Sequence, residues 1–116
     1  MPSRDWQNRV KDVIAAIDEI QEFTDGMTFE EFQYNRKTIR AVLYNLTIIG
    51  EAIHGIPAEI EANHPEIPWS EVRGMRNVII HEYFQVNMSI IWQTIQEDIV
   101  LLKSSLYQLV YFNFND

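Results

Sequence analysis

The residues whose types and spacing can do chemistry lie in one stretch, Arg76-Asn77-Val78-Ile79-Ile80-His81-Glu82-Tyr83. Histidine titrates near neutrality, so His81 can take a proton from a ribose 2'-hydroxyl or give one to a leaving oxygen. Arginine grips a phosphate through two hydrogen bonds and stabilises the charge added in the transition state. Asn77 can fix the imidazole or bind the phosphate. Together these groups suit phosphodiester cleavage without a metal. On a helix Asn77 and His81, four apart, are neighbours. Arg76 and Tyr83, seven apart, share a face, and Arg73 lies one turn earlier on that side. Arg76 and His81 are five apart and diverge by about 140°, a gap that arginine's long arm could close in part and a second subunit could close the rest of the way. Spacing alone leaves a plainer account open, because Arg, Asn, His and Tyr near a helix end often serve as caps or surface.

No other constellation competes. His54 sits near a helix end and His64 in a proline-flanked loop. Neither has a partner at metal-ligand spacing, and no His-Glu-x-x-His occurs. Glu30-Glu31 and Glu97-Asp98 read as cap residues or solvated faces. The chain has no cysteine, which excludes disulfides, thiolate zinc sites and cysteine nucleophiles.

The elements that must position these residues are helical. Trp6, Val10, Val13, Ile14, Ile17 and Ile20 recur at steps of three and four, predicting a helix over about Ser3 to Phe23. Asp25-Gly26 ends it, and Thr28-Phe29-Glu30-Glu31 reads as a capping box opening a short turn through Phe32. A second long helix is expected over Arg36 to His54, with Ile39, Val42, Leu43, Leu46, Ile49 and Ile53 as its stripe. Gly50 inside it costs roughly 1 kcal/mol against alanine and points to close approach of another helix. Gly55-Ile56-Pro57 stops it. A short helix around Ala58 to Ala62 follows, then Pro65 and Pro68. Ser70 is the expected N-cap of a helix running to about Tyr83, with Val72, Met75 and Ile79 inward. Asn87 is expected to cap a last helix with Ile91, Ile95, Ile99, Leu102, Leu106 and Leu109 as its stripe. No segment alternates with period two. The predicted fold is all-α: an antiparallel helical bundle of four main helices plus short helical turns, in one domain over residues 1–116.

A chain of 116 residues, 47% of them hydrophobic, can form one core. There is no leader-like N-terminus and no apolar run approaching the ~18 residues that span a bilayer, so no membrane partner is expected and the expected location is cytoplasmic. The net charge of -8 is awkward for binding phosphates, which draws on clustered Lys and Arg. Any RNA site must be a local basic island, or the acidic surface serves a basic partner.

The spacing Arg76, four residues, His81, one residue, Tyr83 resembles the signature of HepT-like proteins in the HEPN superfamily, and Asn77 fits the HEPN pattern. The likeness extends to Phe23-Thr24-Asp25-Gly26-Met27-Thr28-Phe29-Glu30-Glu31-Phe32, to Asn45-Leu46-Thr47-Ile48-Ile49-Gly50-Glu51-Ala52, and to Pro65-Glu66-Ile67-Pro68-Trp69 followed by Gly74-Met75-Arg76-Asn77. It therefore covers most of the chain. The motif spacing is weak alone; the ordered set of segments is specific.

The resemblance implies the toxin of a type VII-like toxin–antitoxin pair, a metal-independent endoribonuclease acting on RNA as a homodimer whose motif helices build a shared cleft. Arg76 and His81 would be the catalytic pair, with Asn77 supporting. No cofactor is implied. The implied partner is an MntA-like nucleotidyltransferase antitoxin that uses ATP to adenylylate Tyr83; the added bulk and negative charge would block the cleft. Two copies of Arg73 and Arg76 meeting across the dimer axis would supply the positive island. The rival readings are a non-catalytic helical subunit of a nucleotidyltransferase and an interaction protein whose acidic face binds a basic partner.

Overall fold

The computed structural model describes residues 5–81 and 87–111, with the backbone alone at 78, 80 and 81. Among these residues every regular element is a helix. α1 (Asp5–Thr24) buries Trp6, Val10, Val13, Ala16, Ile17 and Ile20. It ends one residue later than its apolar stripe indicates, because the Thr24 hydroxyl donates back to the Ile20 carbonyl at 2.8 Å. Gly26, with φ of 75°, turns the chain. The Thr28 capping box forms as expected: the Glu31 N–H donates to Thr28 Oγ1 at 3.1 Å, and the Thr28 N–H donates to Glu31 Oε1 at 2.9 Å. It opens α2 (Phe29–Gln33), whose Phe32 enters the core beside Trp92, ring centroids 5.1 Å apart.

α3 (Arg36–His54) has the expected bounds and is capped by Asn35, whose Oδ1 accepts from the Thr38 N–H at 3.0 Å. Val42, Leu43, Leu46, Ile49 and Ile53 are buried, while Ile39 at the open end is only partly so. α4 (Ala58–Asn63) runs one residue beyond its expected end.

α5 (Trp69–His81) begins one residue before the expected cap. Pro68, not Ser70, holds the cap position: its carbonyl accepts the first helical bond, from the Val72 N–H at 3.1 Å. The cause is Trp69. Its buried indole donates Nε1–H to the His64 carbonyl at 2.9 Å and anchors the first turn, so Ser70 falls inside the helix. The expected far end, Tyr83, lies outside the described residues.

The last helix is α6 (Met88–Gln93), a π turn over Thr94–Asp98, and α7 (Ile99–Tyr111). Asn87 caps it, Oδ1 accepting from the Ser89 and Ile90 N–H groups at 2.9 and 3.3 Å. The π turn is not foreseen by the periodicity, yet it has a cause there. Ile91, Ile95 and Ile99 are spaced by four, which drifts about 40° per step on a 3.6-residue helix. A wider turn absorbs the drift, and all three are buried.

α1 packs on α3 and α7, and α3 packs on α5. The two pairs made by α1 are antiparallel. Arg9 lies by Gly55 while Glu19 shares a surface cleft with Asn45. Lys103 meets Asp18 while Lys11 lies over Tyr111. α5 crosses α3 at Gly50, beside Val72 and Arg76, and Ile39 and Leu43 of α3 line a cleft with Met88 of α6. The fold is the all-α antiparallel bundle that the sequence predicts.

Candidate active site

Two helices position Arg76. α5 crosses α3 at Gly50, where a Cβ would lie 2.8 Å from the Arg76 Cβ, 3.1 Å from the Arg76 nitrogen and 3.3 Å from the Val72 carbonyl oxygen. Only a residue with no side chain admits the α5 backbone this closely. Gly50 therefore does what its place inside the helix predicts. The next residue, Glu51, then receives the arginine: the Arg76 guanidinium forms an ion pair with the Glu51 carboxylate through Nε. Both side chains are substantially exposed, 41% for Arg76 and 60% for Glu51. The guanidinium is thus steered by α3 while part of it faces solvent, where a phosphate can reach it.

Glu51 is the site residue that reasoning from spacing missed. The signal was available: a helix-interior glycine that demands a crossing helix makes its polar neighbour a contact of that helix.

Arg73 does not join Arg76. It pairs with Glu61 of α4, on the other flank of α5. Three helical positions turn by about 60°, enough for two long side chains to reach opposite neighbours. The expected positive island belongs to two copies of Arg73 and Arg76 meeting in a dimer; within one chain each arginine is matched by a carboxylate.

Asn77 is exposed at the next helical position. The helical backbone continues unbroken to His81, about 7.5 Å further along the axis, and keeps the divergence of about 140° from Arg76. The His81 side chain and Tyr83 lie outside the described residues, as do the expected pairing of Arg76 with His81 and the expected modification at Tyr83.

The other histidines stay apart from this place. His54 is exposed at the end of α3. His64 follows α4, with Nδ1 3.4 Å from a Glu66 carboxylate oxygen. Among the described residues no group of three or more His, Asp or Glu side chains could hold a metal ion. A groove of about 490 Å³ runs between the start of α5 and α7. It is floored by Val72, Met75, Ile99 and Leu102 and edged by Glu71 and Asp98. No cation lines it, so it offers nothing to a phosphate. No described helix is long and apolar enough to cross a membrane.

The model of the HepT-like ribonuclease family matches residues 13–109, which include Glu51, Arg76, Asn77, His81 and Tyr83. The chain belongs to this family. It is 42% identical to a Thermococcus cleftensis protein named "Probable ribonuclease HepT", over 91% of this chain and 96% of that one. It is 36% identical to a Methanocaldococcus jannaschii protein named "Putative RNase", over 95% of each chain. A Caldanaerobacter subterraneus protein with the same description is 41% identical over 73% of this chain and 76% of its own length. Comparison with solved structures found no match. The HepT-like match covers α3 and α5 in full, so the crossing at Gly50 and the Arg76–Glu51 pair both lie inside the family region.

Proposed function

We propose that this chain is a ribonuclease that cuts RNA without a metal, working as a homodimer. The observation that carries the reading is the HepT-like family match across the whole region of Arg76 and His81. In the reaction one His81 imidazole takes the proton of a ribose 2'-hydroxyl, and that oxygen attacks the adjacent phosphorus. The bond from phosphorus to the 5'-oxygen breaks, and the His81 of the second copy, as imidazolium, protonates the departing oxygen. Arg76 binds the phosphate oxygens and stabilises their added charge, with Asn77 supporting. A dimer suits the geometry because one helix turns Arg76 and His81 about 140° apart.

In this reading the chain is the toxin of a toxin–antitoxin pair in the cytoplasm, and its partner is an MntA-like nucleotidyltransferase. The partner uses ATP to adenylylate Tyr83. One adenylyl group per site would place a phosphate and its bulk in the cleft, competing with RNA. Mass spectrometry of the Tyr83 peptide after incubation with the partner and ATP checks this. A neutralised toxin whose Tyr83 is unmodified would rule that switch out.

The deciding experiment is RNA cleavage by the purified dimer in the presence of a chelator, comparing the natural chain with His81→Ala. Cleavage that persists with chelator and disappears in the variant is expected. Cleavage that needs a divalent ion, or survives in the variant, overturns the mechanism. No cleavage, with altered activity of an added nucleotidyltransferase, would instead identify a non-catalytic partner subunit.

A further inference from the structure

Arg76 serves the phosphate that is cut, and Arg73 is matched by Glu61, so the flanking phosphates of a bound RNA need further positive charge in a chain of net charge -8. The described cations show where. Arg9 pairs with Asp5, Lys103 with Asp18, and Lys11 lies over the Tyr111 ring. Arg36, Lys37 and Arg40 are the remaining ones; all three are exposed, and none has an ion pair among the described residues. They sit in a stretch free of acids: the chain has 17 Asp and Glu, yet none occurs between Glu31 and Glu51.

The cluster shares a stripe with the candidate site. At about 100° per residue, Arg40 and Tyr44 fall within about 20° of Glu51 around the α3 axis, Lys37 within about 40° and Arg36 within about 60°. Arg40 lies about 16 Å along α3 from Glu51, the length of roughly five stacked nucleotides at about 3.4 Å each. α5 crosses α3 at Gly50 beside Arg76, Met88 further along the chain lines a cleft with Ile39 and Leu43, and His81 falls between Arg76 and Met88 in the sequence. Tyr34 and Tyr44 flank the cations and are 79% and 67% exposed, more than any other described aromatic. Beside them is a cleft of about 250 Å³ lined by Arg36, Ile39, Arg40, Leu43 and Met88. Unpaired cations interleaved with exposed rings are the means by which single strands are held: charge follows the backbone and bases stack on the rings.

We propose that the first half of α3 is a binding track for single-stranded RNA, in which Arg36, Lys37 and Arg40 hold phosphates and Tyr34 and Tyr44 stack bases. The track leads the strand to Arg76 and His81. This rests on the ribonuclease reading and assigns the substrate its path. It favours single strands over duplex, whose bases are already stacked on one another.

The test is fluorescence anisotropy with a labelled single-stranded RNA of about 12 nucleotides, over a series of salt concentrations, using chains that also carry His81→Ala to prevent cutting. Neutralising the cluster with Arg36→Gln, Lys37→Gln and Arg40→Gln should weaken binding about tenfold or more. It should also flatten the slope of log affinity against log salt by about two, at roughly 0.7 per phosphate contact. Arg36→Lys with Arg40→Lys should keep the slope. Tyr34→Ala and Tyr44→Ala should each weaken binding about fivefold without changing the slope. A wild-type slope and affinity in the glutamine variant, with its helical circular dichroism intact, overturns the track. So does equal affinity for a polyglutamate peptide with no effect of the tyrosines, which would mark the patch as a surface for an acidic protein. Failure of the track leaves wild-type cleavage in place, whereas failure of the ribonuclease reading abolishes cleavage whatever α3 carries.

Discussion

Gly50 and Arg76 meet so closely that a methyl group on the glycine would stand 2.8 Å from the Cβ of the arginine. The contact fixes where α5 crosses α3, and through it where the guanidinium begins. Gly50→Ala should therefore be costly although alanine favours a helix. The clash involves backbone atoms of α5, so overpacking of about 1–3 kcal/mol opposes a propensity gain of about 1 kcal/mol. The expected outcome is a lower urea midpoint and loss of most RNA cleavage. A more stable, fully active variant would contradict the close-approach account.

Glu51→Gln tests the arginine's other restraint. The pair is largely solvated, so its loss should change stability by less than about 1 kcal/mol. Activity should respond far more, because a misaimed catalytic group costs up to about a hundredfold. We expect kcat/KM for RNA to fall about tenfold or more at a nearly unchanged urea midpoint. Equal activity in the variant would show that Arg76 aims itself.

Arg73 and Arg76 provide a contrast on one helix. Arg76→Ala and His81→Ala should each abolish cleavage while the helical signal is retained. Arg73→Ala, which releases only Glu61, should retain cleavage within a fewfold. Equal damage from all three would mean that Arg73 leaves Glu61 when RNA binds. Unfolding of the His81 variant would instead point to a histidine that serves packing.

Trp69 ties the start of α5 to the loop after α4. Trp69→Phe keeps most of the ring but removes the donor to the His64 carbonyl. The carbonyl keeps its second bond, from the Ile67 N–H at 3.2 Å, so loss of the indole bond should cost about 0.5–1.5 kcal/mol, read as a lower thermal midpoint. Faster amide exchange at the first turn of α5 should accompany it. An unchanged midpoint would mean that water replaces the bond.

The helices were legible because their apolar spacing and caps agree. Thr28 with Glu31, and Asn87, each place a helix start where a side chain can take up a free N–H. The start of α5 was misplaced by two residues because a cap motif at Ser70 competes with a tryptophan anchored through a distant carbonyl, a contact with no local signature. At the site, types and spacing singled out Arg76, Asn77 and His81, and Gly50 announced a crossing. What spacing could not give was the partner of each arginine. Glu51 and Glu61 belong to other helices, and only the packing decides which carboxylate meets which guanidinium.

The π turn over Thr94–Asp98 is a single residue accommodated within a helix. Downstream of it, the inward set Leu102, Leu106 and Leu109 keeps its phase only because that residue is present. Excising one residue there would restore an ordinary spiral and swing everything after it by about 100°. Buried leucines would exchange places with the exposed Leu101 and its neighbours. The turn thus sets the register of every buried residue that follows it in α7.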